Sequence, residues 1–162
     1  NNRFLLQELL IRCQKTKTNM KKILIYLMFA SFAYGVTETC PIMKGDENDP
    51  DEFSVVEGKT INFCCGSCVS KFDENQAYYI KAIPSLQKKF TEAELKKIGV
   101  DKVELLEQRF SPIYPERIIN PNSKTVEYKG KTIYLWSSSA ARRWARDADK
   151  YYEEAVKAGI LK

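Results

Sequence analysis

Histidine is absent from this sequence of 162 residues. Its absence removes the commonest general base and a frequent metal ligand, so histidine-dependent triads and histidine metal sites are both excluded. Only seven glycines are present, and they form no glycine-rich loop of the kind that holds a phosphate. No nucleophile and base occur at a catalytic spacing. We therefore predict a binding module rather than an enzyme.

An excess of positive charge is also missing from most of the chain. The net charge is +5, but six basic residues and one acidic residue lie in the first 35 positions. The remaining residues, 36–162, carry 20 basic and 20 acidic side chains. Because binding to nucleic acid depends on a positive field around the protein, we expect no nucleic-acid partner.

The basic beginning of the chain belongs to a targeting signal. Residues 20–35 have the layout of a secretory signal peptide, because two lysines precede the mostly apolar run Ile23–Ala33 and small residues follow at the end. The apolar run is shorter than the ~20 residues of a membrane-spanning helix. We expect cleavage near Val36 and a periplasmic or secreted protein that does not span the membrane. An uncleaved anchoring helix is the alternative, and residues 1–19 are interpreted as an upstream non-native or fragment segment.

Two copies of one unit follow. Residues 57–79 align with residues 129–151 at an offset of 72 positions and share the tetrapeptide GKTI. Upstream, "CPIM" at residues 40–43 aligns with "SPIY" at residues 111–114. Each copy has two β-rich runs around a glycine, which is typical of a hairpin, and then apolar residues at helical spacing.

The fold class predicted from this pattern is α+β. It has a first hairpin–helix unit at residues 36–83, a helical connector at residues 84–110 and a second unit at residues 111–162. Within the second unit, Trp144 has the spacing of a core residue.

Two capping boxes are predicted in the connector. Thr91–Glu94 and Asp101–Glu104 both match the pattern, and Gly99 is predicted to end the first helix.

The cysteines are the candidate binding residues. Cys13 lies in the upstream segment, and the other four are Cys40, Cys64, Cys65 and Cys68. Thiolate is a soft ligand that suits Cu(I), Zn(II) or heavier ions. Two thiols at the end of a strand and in the helix after it can converge on one ion, with a third from a distant loop. Adjacent cysteines seldom bind the same ion together, so we expect Cys65 to be a spare or exchanging ligand beside a site of three thiolates.

The second copy has none of these thiols. Ser111, Trp136, Ser137 and Ala140 stand at the aligned positions. A joint absence indicates that the cysteines of the first copy act as one set.

Disulfide bonding is the alternative to metal binding. Export would expose the thiols to oxidation, and four is an even number. Cys40 paired with Cys64 or Cys68 would close a loop and stabilise the fold by roughly 3 kcal/mol. The protein would then be a structural or protein-interaction domain. A redox role for Cys65 and Cys68 is disfavoured, because no thioredoxin-like context surrounds them.

The segment with the cysteines resembles the YHS domain and its TRASH-type relatives, which are small treble-clef-like modules for heavy metals. The resemblance rests on an early cysteine, a hairpin and "FCCGSC" followed by Phe72. It implies a metal ion, Cu or Zn, bound by Cys40, Cys64 and Cys68, for sensing, scavenging or transfer, with another envelope metal-handling protein as partner. The chain departs from the pattern in its second copy and in the acidic insertion "GDENDPDE" at residues 45–52. We interpret the insertion as a solvated turn, with attraction of cations as the alternative.

Overall fold

The computed structural model describes residues 38–162, and the predicted upstream segment and signal peptide lie outside them. The described residues have the predicted α+β fold, in which two antiparallel two-stranded hairpins are each followed by helices. None of their helices is long and apolar enough to cross a membrane. The first hairpin and its helices are β1 (Asp49–Val56), β2 (Lys59–Phe63), α1 (Gly66–Glu74) and α2 (Gln76–Ala82). The connector contributes α3 (Pro84–Gln87), α4 (Glu92–Ile98) and a 3-10 turn (Val100–Lys102), and the second unit contributes β3 (Lys124–Tyr128), β4 (Lys131–Leu135), α5 (Ser138–Trp144) and α6 (Ala148–Lys157).

Both hairpins close with the same two-residue turn. Glu57 and Gly58 have φ angles of 48° and 74°, and Lys129 and Gly130 have φ angles of 50° and 73°. Two consecutive positive φ angles define the type I′ turn, whose twist matches that of the flanking strands. Glycine at the second position adopts this conformation without the steric cost that a Cβ atom brings.

The repeat extends to the backbone hydrogen bonds before each hairpin. The amide of Cys40 donates to the carbonyl of Asp46 at 2.8 Å, and the amide of Ser111 donates to the carbonyl of Arg117 at 3.0 Å. Each pair closes a short loop, which we call the first knuckle (residues 38–48) and the second knuckle (residues 109–119). The two copies therefore share one backbone plan, with thiols in only one of them.

The helical stretch after each hairpin is divided into two helices. Asn75, with φ −145° and ψ 46°, separates α1 from α2. In the second unit Asp147 begins α6, where its carboxylate accepts a hydrogen bond from the amide of Lys150 at 3.3 Å. The carboxylate of Asp147 thus satisfies a free amide at the start of α6, whereas the side chain of Asn75 makes no capping hydrogen bond to α2.

The connector is helical only in its first part. The capping box predicted at Thr91–Glu94 is present, and Gly99 ends α4 with φ 85°. The second box, predicted at Asp101–Glu104, is wrong. A single 3-10 turn ends at Lys102 and the chain continues extended at Val103. Lys81 Nζ donates a hydrogen bond of 2.5 Å to the carbonyl of Val103, within the stretch where the second box was predicted.

One apolar core includes both units. Trp144 is 3% exposed, as its spacing predicts, and its ring meets Tyr128 edge-on with centroids 5.6 Å apart. Between the units, Tyr79 of α2 accepts a hydrogen bond of 2.9 Å from the side-chain amide of Asn120, and both residues are buried. Because a buried polar group without a partner is costly, this bond fixes α2 against the segment that precedes β3.

The knuckles are also joined directly. The amide of Ile118 donates to the carbonyl of Ile42 at 3.1 Å, and the amide of Lys44 donates to the carbonyl of Glu116 at 2.9 Å. The second unit therefore holds the loop that carries Cys40.

Candidate metal centre

Three separate pieces of backbone bring the thiols together. Cys40 lies on the first knuckle, beside the isolated bridge between Thr39 and Glu47. Cys64 follows the last residue of β2, and Cys68 lies in the first turn of α1. This is the arrangement that the sequence predicts, with a local pair at the junction of strand and helix and one distant cysteine.

The sulfur atoms of these three residues form a compact group. The Sγ atoms of Cys40, Cys64 and Cys68 all lie within 4.8 Å of one another. The Sγ atoms of Cys64 and Cys68 are 3.7 Å apart. A disulfide bond is about 2.05 Å long, and all four cysteines among the described residues are free thiols. The disulfide alternative therefore has no counterpart in this structure.

The spacing of the sulfurs fits a single bound ion. Zinc–thiolate bonds are about 2.3 Å long, so two sulfurs on the same ion lie about 3.8 Å apart at tetrahedral angles and about 4.0 Å apart at trigonal angles. The separation of 3.7 Å between Cys64 and Cys68 is close to both values. An ion at the centre of the group would need only small movements of the side chains. The three thiols are thus a group that could hold a metal ion.

Burial encloses one side of the group. Cys40 is 2% exposed and Cys68 is fully buried, whereas Cys64 is partly exposed. Phe63 and Phe72 are fully buried rings, with centroids 5.1 Å apart, in the same apolar cluster as Cys40 and Cys68. An apolar wall strengthens the attraction between thiolates and a cation because it excludes water. Access from solvent is from the side of Cys64.

The three thiols influence one another's ionisation. A hydrogen bond with Cys68 lowers the pKa of Cys40 to about 5, against the opposing effect of burial. Burial, together with the hydrogen bond and the charge of Cys40, raises the pKa of Cys64 to about 12. The pKa of Cys68 is also raised, first by its hydrogen bond with Cys40 and then by burial. One negative charge therefore forms readily in the group, and further charges require a cation to offset their repulsion.

Cys65 is adjacent to this group but not a member of it. Its Sγ atom lies 3.7 Å from the Sγ atoms of both Cys64 and Cys68. Its backbone occupies the N-cap position of α1, yet its side chain accepts no capping hydrogen bond. Burial acts to raise the pKa of this thiol, but the hydroxyl of Ser67 and the neighbouring Cys68 and Cys64 prevail and lower it.

The corresponding place in the second unit is filled by an indole. Trp136, aligned with Cys64, is 4% exposed, and its amide donates to the hydroxyl of Ser111 at 3.4 Å. Lys71 of α1 lies over the indole ring with its Nζ atom 4.6 Å from the centroid, and the guanidinium of Arg117 lies 5.6 Å from it. An indole ring with two cations close to it offers no ligand for a metal at that position.

A carboxylate also approaches the start of α1. A β-bulge between Asp49 and Phe53 interrupts the register of the first hairpin. Within the bulge, the oxygens of Glu52 lie 3.3 and 3.4 Å from the point where a Cβ atom of Gly66 would stand. The second hairpin has a regular register and Lys124 at the aligned position. The acidic insertion is therefore not only a solvated turn, since it places one carboxylate against the helix that carries the thiols.

Sequence reasoning identified the thiols but missed three contacts around them. These are the approach of Glu52 to Gly66, the hydrogen bonds between the knuckles and the cations on Trp136. The extra length between Cys40 and Cys64 was a signal for the bulge. No local pattern indicated the other two contacts, because they join residues far apart in the chain.

Comparison of the chain with family models, with curated proteins and with solved structures gives no match.

Proposed function

We propose that this protein is a binding module that holds one soft metal ion, Cu(I) or Zn(II), through the thiolates of Cys40, Cys64 and Cys68. The observation that carries the proposal is the convergence of three sulfurs within 4.8 Å. Two of them come from one junction of strand and helix, and the third comes from a loop more than 20 residues earlier. A small core needs no such convergence of thiols, whereas a soft ion requires it.

The asymmetry of the repeat supports this function. The second unit keeps the hairpin, the knuckle and the buried aromatic residue of the first, but Ser111, Trp136 and Ala140 replace the three thiols. The scaffold therefore does not need sulfur at these positions in order to fold. A requirement for thiols in the first unit is then best explained by what they bind.

The wider role is proposed from the leader and from the resemblance to YHS and TRASH-type modules. The protein is exported to the periplasm or secreted, where it binds metal for sensing, scavenging or transfer. Its partner is another metal-handling protein of the envelope. We assign the protein to metal binding rather than catalysis, because metal ligation is what the converging thiols support.

Metal titration of single Cys→Ser variants tests the proposal. Under reducing conditions the wild-type protein should bind one ion. Cys40→Ser, Cys64→Ser and Cys68→Ser should each abolish tight binding, because two thiolates make a poor site for a soft ion. Thiol counting of the same samples measures the redox state, and four reactive thiols are expected after the leader has been removed.

Two controls separate metal binding from disulfide bonding. Ser111→Ala changes the aligned position of the second unit and should leave the stoichiometry at one ion. In a disulfide-bonded protein, each Cys→Ser change would instead release one particular partner as a new reactive thiol. A wild-type protein with no reactive thiols and no bound metal would refute the proposed function.

A further inference from the structure

The N-cap residue of α1 makes different contacts from its counterpart in the second unit. There Ser137 has nearly the same backbone angles, and its hydroxyl accepts a hydrogen bond from the amide of Ala140 at 3.3 Å. Cys65 has φ −169° and ψ 159°, but its sulfur caps no amide. Serine is among the preferred N-cap residues and cysteine is not. The first unit therefore lacks a capping bond that its own repeat shows to be available.

The sulfur of Cys65 contacts other groups. It lies 3.7 Å from the sulfurs of Cys64 and Cys68 and 3.1 Å from the hydroxyl of Ser67. It is partly exposed, as is Cys64, while Cys40 and Cys68 are buried. A fourth thiol thus lies on the solvent side of the group, touching two of its three members.

We propose that Cys65 is the exchange ligand of the metal centre, through which the ion enters and leaves by passing to a thiolate-bearing partner. This inference rests on the proposed function and names the route by which the ion is transferred. Cys40 and Cys68, which are buried, hold the ion throughout, and Cys64 is the third ligand at rest, which Cys65 displaces only while the ion is being transferred.

The step is a ligand substitution without a change of oxidation state. The Cys65 sulfur gives its proton to solvent and forms a bond to the ion as the bond from Cys64 breaks. The released Cys64 sulfur takes a proton from solvent. Since Cys65 is nearer to solvent than the buried ligands, an incoming thiolate can attack the ion on this side and displace Cys65 next. Exchange through such intermediates avoids a state in which the ion has only two ligands.

The test measures the rate at which Zn(II) leaves the loaded protein for a coloured chelator in excess. Cys65→Ser and Cys65→Ala should keep one ion per protein, and each should slow the transfer by about tenfold or more, in the range that outer contacts of metal sites usually contribute. Serine restores a capping oxygen and alanine does not, so equal slowing in the two variants assigns the effect to the missing sulfur. Ser137→Ala, which removes the cap in the second unit, should leave the transfer rate unchanged.

Each other outcome overturns a distinct statement. Transfer within twofold of the wild-type rate in both folded variants, as checked by circular dichroism, would show that Cys65 takes no part in exchange. Loss of stoichiometric binding in both variants would make Cys65 a permanent fourth ligand and would also refute the exchange role. Failure of the wild-type protein to bind Zn(II) or Cu(I) would instead refute the proposed function itself.

Discussion

Replacing Trp144 with alanine removes one of the two tryptophans from the core of the second unit. The indole is 3% exposed and packs edge-on against Tyr128. Truncation of a buried Phe or Trp to Ala costs about 3–5 kcal/mol, from lost transfer energy and the cavity left behind. For a folded region of this size, that corresponds to a fall in melting temperature of roughly 10–20 °C.

Urea unfolding of the metal-free, reduced protein measures this change. Phe53→Ala is the matched control, because Phe53 is 50% exposed and its loss should cost less than about 1 kcal/mol. Where the Trp144→Ala protein still folds, it should bind the same amount of metal as the wild type, since Trp144 belongs to the second unit and the three thiols belong to the first. A loss of stability no larger than that of Phe53→Ala would refute the placement of the indole in the core.

Three further predictions concern protons, a buried hydrogen bond and the leader. Near neutral pH, metal binding should release about two protons, because the lowered pKa of Cys40 leaves that thiol already ionised while Cys64 and Cys68 still hold their protons. Calorimetry in several buffers measures the number of protons released, and the affinity for the metal should fall as the pH falls. Asn120→Ala should lower the free energy of unfolding by on the order of 2–3 kcal/mol, since it leaves the Tyr79 hydroxyl without its donor, and a change under 0.5 kcal/mol, about the size seen at ordinary surface positions, would contradict the buried bond. Mass spectrometry of exported protein should find an N-terminus near Val36. An intact chain that keeps residues 20–35 would overturn the prediction of a cleaved signal peptide.

The local features of the fold were predictable from the sequence because each depends on neighbouring residues. Gly58 and Gly130 marked the hairpin turns, and their positive φ angles are the physical cause of that signal. Gly99 marked the end of α4 in the same way. The prediction of the second capping box was wrong because the pattern considers only neighbouring residues, whereas the structure at this position also involves a distant one. Lys81, some 20 residues earlier, donates a hydrogen bond to the carbonyl of Val103, where the chain is extended.

The cysteines of the candidate site could be predicted from the sequence, but the residues that pack around them could not. Alignment of the copies singled out the four cysteines, and the structure places three of them in one group with Cys65 beside it. Which thiols are buried depends on packing between units that the sequence does not show. The same is true of the two cations that lie over Trp136, since Lys71 and Arg117 belong to different units.

The hydrogen bonds between the knuckles have a consequence for the order of synthesis. Cys68 is made 50 residues before Ile118, whose amide holds the Cys40 loop through Ile42. At a synthesis rate of about 5–20 residues per second, roughly 3–10 seconds pass between the synthesis of Cys68 and the synthesis of Ile118. During this interval the loop that carries Cys40 lacks the hydrogen bond from Ile118. The cysteine-free half, made last, therefore determines when the first half becomes a finished binding site.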